Sequence, residues 1–107
     1  MKTNHSYAKG KLRETIFSLA IGPEDVRKRL AQVFQGFFAL KVEHFPENLQ
    51  SDWEWIHKEL TKFGPLIRED GSIFRGSVEH TCSKIKKKTG VKIAQKILDI
   101  YLDLESN

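Results

Sequence analysis

The chain has 107 residues, enough for one hydrophobic core and too few for two independent ones. Hydrophobic residues make up 39% and charged residues 30%, with seven Phe, two Trp and two Tyr, a composition that excludes a disordered chain and predicts a folded globular domain. Lys and Arg outnumber Asp and Glu by 18 to 14, a balance that permits polyanion binding without requiring it, and the lone Cys82 excludes an intrachain disulfide.

The polar opening through Lys9-Gly10-Lys11 has neither the apolar run of a signal peptide nor the length of a membrane span, so the expectation is a cytoplasmic protein that avoids membranes. Residues 1–10 read as a flexible tail and 11–107 as a single helical domain. Leu12, Ile16, Leu19 and Ala20, with Phe17 beside them, recur at helical spacing and predict a first helix that stops at Gly22-Pro23. A second helix opens at Pro23 with Glu24 and Asp25 in its first turn and runs toward Leu40. Its stripe is Val26, Leu30, Val33, Phe34, Phe37 and Phe38, interrupted by Gly36. Lys41–Phe45 reads as a loop. Pro46-Glu47 repeats the proline-then-acid opening, and Leu49, Trp53, Ile56 and Leu60 mark the inner face of a third helix ended by Gly64-Pro65.

Around Asp70-Gly71 the segments 66–69 and 72–75 predict a short hairpin with a type I′ turn, an irregular loop being the alternative. Ser77 is placed to cap a fourth helix carrying Val78, Cys82 and Ile85, with Thr89-Gly90 as its stop. The fifth carries Ile93, Ile97, Ile100, Tyr101 and Leu104 on one stripe, with Ala94, Leu98 and Leu102 beside it, an apolar arc wider than one bundle face needs. The fold class is therefore mainly α: a compact bundle of about five helices with a short β-hairpin or loop near residues 66–75.

Two surfaces carry the functional expectations. Trp53 and Trp55 are two positions apart, about 200° around a helix, so Trp53 in the core turns Trp55 outward. Trp55 and Lys58, with Leu98 and Leu102, form the candidate interface of a non-enzymatic interaction module, an accessory or regulatory subunit or a homodimer. The alternative partner is nucleic acid, met at phosphates by Lys84, Lys86, Lys87, Lys88, Lys92 and Lys96, extended by Arg27, Lys28, Arg29, Arg68 and Arg75 if the fold gathers them. Val91-Lys92-Ile93-Ala94 offers no Asn, Gln or Arg to read bases, so sequence-specific DNA recognition is disfavoured. His5, His44, His57 and His80 lack zinc-helix spacing, including His80 with Cys82. No stretch matches GxGxxG or GxxxxGK[ST], and no nucleophile sits on a recognisable strained turn, so neither cofactor, metal nor catalytic residue is expected.

Overall fold

A computed structural model of the chain describes residues 5–22, 24–33 and 40–106. Among them five α-helices and one two-stranded hairpin form a compact, mainly α bundle: α1 (Ser6–Ile21), α2 (Val26–Val33), α3 (Glu47–Thr61), β1 (Leu66–Ile67), β2 (Ile73–Arg75), α4 (Ser77–Lys84) and α5 (Lys87–Ser106). Helix α5 packs against α1, α2 and α3, while α4 closes the far side against α2 and α3. Ile93, Ile97, Ile100 and Leu104 of α5 meet Leu12, Leu30, Ile56 and Leu60 in one buried cluster.

Helix α1 begins at Ser6, inside the segment expected to be a tail, and Ala8 is fully buried. Tertiary contact, more than helix propensity, explains the earlier start. The Nδ1 of His5 lies 3.1 Å from the carbonyl oxygen of His44, and the rings of Tyr7 and His44 sit 5.1 Å apart. The segment expected to be a loop holds a 3-10 turn at Val42–His44, closed by the Lys41 amide donating to His44 Nδ1 at 2.9 Å. Phe45 behind it is buried.

At the start of α2, Asp25 supplies the cap and Glu24 stays outside the helix. The Asp25 carboxylate accepts the Arg27 backbone N–H at 2.8 Å and the Arg27 guanidinium at 2.7 Å. These bonds hold the carboxyl well below the usual range. Pro23, Gly36, Phe34, Phe37 and Phe38 of the expected helix lie outside the described residues.

On α3 the buried set is the one its periodicity predicts: Leu49, Trp53, Ile56 and Leu60. Trp53 stacks on Phe45 with ring centroids 4.8 Å apart and meets His57 edge-on at 5.6 Å. Burial pushes the His57 imidazole below its ordinary 6.5. The folded protein then binds fewer protons than the unfolded chain, so His57's contribution is complete above 6.5 and lost as pH falls through the folded value. Thermal melts should show a declining midpoint as pH drops below about 6.5, and His57→Gln should flatten that decline.

The hairpin forms with a different turn. The Arg68 N–H donates to Ser72 O at 2.8 Å, the Gly71 N–H donates to Arg68 O at 2.9 Å, and within this turn Gly71 alone has positive φ, at 88°. This is a type I turn followed by a glycine bulge, since a type I′ turn would need positive φ at its first central residue too. Asp70 favours it by accepting the Ser72 N–H at 2.9 Å and hydroxyl at 2.6 Å. Leu66, Ile67 and Ile73 remain exposed, while Arg75 of β2 reaches Glu79 of α4.

Gly76, not Ser77, is the cap residue of α4. The break between α4 and α5 falls at Ile85-Lys86, four residues before the expected stop at Thr89-Gly90. Gly90 is inside α5 and buried, because the first turn of α2 presses on it: a Cβ there would lie 3.0 Å from Val26 Cγ1 and 3.1 Å from Arg27 Cγ. The glycine serves a close helix approach. Among the described residues no helix is long and apolar enough to cross a membrane.

Candidate functional site

Trp55 does turn outward, but only in part: it is 36% exposed where Trp53 is 1%. The Lys96 ammonium from α5 lies 5.8 Å from the Trp55 ring centroid and 3.6 Å from Asp52 Oδ1. Lys96 thus bridges α3 and α5, while Lys58, one turn beyond Trp55, is exposed. Leu98 and Leu102 sit about 200° and 240° around α5 from Lys96, so they do not join Trp55 and Lys58 in one surface.

They join α1 instead. Arg13 of α1 lies near enough to Tyr101 of α5 to act on its phenol, which burial and then the nearby Glu105 carboxylate hold above its ordinary value against the opposing pull of Arg13. At the other end, α1 leads through Gly22 into α2, whose first turn rests on Gly90. The two helices therefore run antiparallel, with outward faces side by side. On that joint face Phe17 is 58% exposed, Ile21 83%, Val91 53% and Leu102 52%, and Leu98 is half-buried. The Arg13 guanidinium lies 5.9 Å from the Phe17 ring. Phe17, Ile21 and Val91 were missed as surface residues in the sequence. Adjacent Ile16 and Phe17 cannot share one helix face, and Val91 precedes Leu98 and Leu102 at seven- and eleven-residue spacing, which were the available signals.

Five of the six lysines of the basic cluster, Lys84, Lys86, Lys87, Lys88 and Lys92, are exposed around the α4–α5 corner, whereas Lys96 is drawn to α3. The arginines on α2 do not extend it. Arg27 is engaged with Asp25 and donates to Ile85 O at 3.2 Å, and Arg29 donates to Gly22 O and Glu24 O at 3.0 and 2.9 Å. Arg75 faces Glu79 at 3.8 Å.

Between α2 and α4 a cleft of about 300 Å³ is lined by Asp25, Arg27, Arg75, Glu79 and Cys82. Burial pushes the Cys82 thiol up to about 11, the opposite of what a nucleophile needs. Its reaction with a disulfide reagent at neutral pH should be slow in the native protein and should accelerate by orders of magnitude in denaturant, read as thiol release against time. Among the described residues no three His, Cys, Asp or Glu side chains gather to hold a metal, and His80 Nδ1 is engaged 3.0 Å from Gly64 O. Comparison with protein-family models, with characterised proteins and with solved structures returns no match to this chain.

Proposed function

We propose that this chain is a non-enzymatic helical interaction module that binds a polypeptide through the joint outer face of α1 and α5. The observation that carries the reading is the exposure of Phe17, Ile21, Val91 and Leu102 on two neighbouring helices. Fully burying one such side chain contributes roughly 1.5–3 kcal/mol, so a partner that covers the face gains substantially. The reading sets the chain in the cytoplasm as an accessory or regulatory subunit or as one half of a homodimer, where a single buried cysteine stays reduced. A photo-reactive amino acid at position 102 should give a covalent polypeptide adduct in the native host, abolished by Phe17→Asp. The same probe at Glu54, beside Trp55, should not give it. Absence of any adduct from position 102 removes the reading.

A second reading is supported by the lysines at the start of α5. Lys86, Lys87 and Lys88 crowd a helix N-terminus whose dipole is already positive, with Lys84 at the end of α4 beside them, an arrangement that a polyanion relieves. It expects low-salt binding of duplex or single-stranded probes that weakens steeply with added salt and is lost on changing Lys86, Lys87 and Lys88 to Glu. No mobility shift at low salt sinks it.

A further inference from the structure

We infer that the occupant of this face is a second copy of the chain, with α5 pairing antiparallel to α5 about a two-fold axis midway between Gln95 and Leu98; the inference rests on the interaction reading above and names its partner. The argument begins with the order of charges along α5. Its first ten residues hold Lys87, Lys88, Lys92 and Lys96 and no acid; its last ten hold Asp99, Asp103 and Glu105 and no base. That order opposes the helix's own dipole at both ends, with cations at the positive terminus and anions at the negative one. A parallel neighbour of the same sequence would set lysine against lysine. An antiparallel copy brings each basic half beside the acidic half and negative terminus of the other, so both mismatches are relieved by one contact.

The spacing fixes a register. Val91, Gln95, Leu98 and Leu102 follow at intervals of four, three and four, the seam of a two-helix coil, and Lys88 and Glu105 continue it by one position at each end. With Val91 level with Leu102 of the second copy, Gln95 is level with its Leu98 and Lys88 with its Glu105. Each apolar pair is then enclosed by an ion pair at its outer end. On the flank of the seam the same register sets Lys92 beside Asp99. Asp99 accepts a 2.9 Å bond from Gln95 and keeps further lone pairs for a lysine, and Glu105 is exposed. Lys96 is on the other side of α5 and stays with Asp52. Two-fold pairing uses every element twice, and Phe17 and Ile21 of α1 widen the contact toward the ~800 Å² per partner typical of a stable interface.

The test is sedimentation velocity and light scattering on the full chain, with charge variants designed from the register. Wild type is expected to be a dimer at tens of micromolar, and Leu102→Asp a monomer with unchanged far-UV circular dichroism. The pair K88E/K92E and the pair D99K/E105K should each lose about tenfold or more in self-affinity, because both place like charges in the same layers. Mixed in equal amounts, the two variants should associate as a heterodimer, since every layer is then paired again. A wild type that stays monomeric up to about 1 mM, or charge variants that associate like wild type and gain nothing on mixing, overturns the pairing. The position-102 adduct separates the two levels: twice the chain mass supports the second copy, a different polypeptide overturns self-pairing while the interaction reading stands, and no adduct removes both.

Discussion

Replacing Trp53 with alanine is expected to cost about 3–5 kcal/mol and to lower the melting midpoint by tens of degrees, whereas Trp55→Ala, at a partly exposed position, should cost about 1–2 kcal/mol. The two positions differ by two residues and by about a third of their surface, 1% against 36% exposed. Trp53 fills the space between Phe45 and His57 at the centre of α3, and the indole leaves a void that Leu49, Ile56 and Leu60, held by their own helix, cannot collapse to fill. Trp55 loses its contact with the Lys96 side chain and the part of its surface that the fold covers. Urea titrations followed by far-UV circular dichroism compare the two directly, since tryptophan fluorescence changes with the substitutions themselves. Equal costs would mean that α3 does not present the face described here.

Gly90→Leu is expected to destabilise the fold by about 1–3 kcal/mol, although leucine is the far better helix former and would gain up to about 1 kcal/mol at an open site. The excess comes from the close approach of α2: the first side-chain carbon alone meets Val26 and Arg27 near 3 Å. Arg27 cannot step aside cheaply, because its guanidinium is held by Asp25 and by the Ile85 carbonyl. Gly10, on the outer side of α1 with open space around it, is the control: Gly10→Ala should stabilise by about 0.5–1 kcal/mol. The same denaturant series reads both, and a stabilising Gly90→Leu would show that α2 and α5 are not in contact there.

Gly90 also shows where the sequence could be read and where it could not. A glycine after lysine and threonine looks like a helix stop, and only the neighbouring helix reveals that it is a contact. The start of α1 was hidden for the same kind of reason: Ser6 to Gly10 favours no helix strongly, and its order comes from His5 and Ala8 reaching other parts of the fold. By contrast, the inner face of α3 and the core stripe of α5 follow from period alone, because a regular apolar stripe has one way to be buried. Of the candidate surface, the excess apolar arc of α5 was legible and its neighbour was not. Angular position around one helix follows from spacing, whereas Phe17 and Ile21 join that arc only once α1 is laid against α5, and Trp55 leaves it only once α3 takes the opposite flank.

The hairpin is a two-stranded sheet, so among the described residues each strand has one edge that no other strand pairs, beside the exposed side chains of Leu66, Ile67 and Ile73. Such an edge is a template on which a foreign strand can add and from which aggregates grow. The sequence opposes such addition: Pro65 offers no N–H to an incoming strand, and Arg68, Glu69, Asp70 and Arg75 place charge on either side of the short apolar runs. Asp70 and Arg75 also serve the turn and the ion pair with Glu79, so Glu69 is the position to test: its replacement by a neutral side chain is expected to tell in the yield of dispersed protein before it tells in a melting curve.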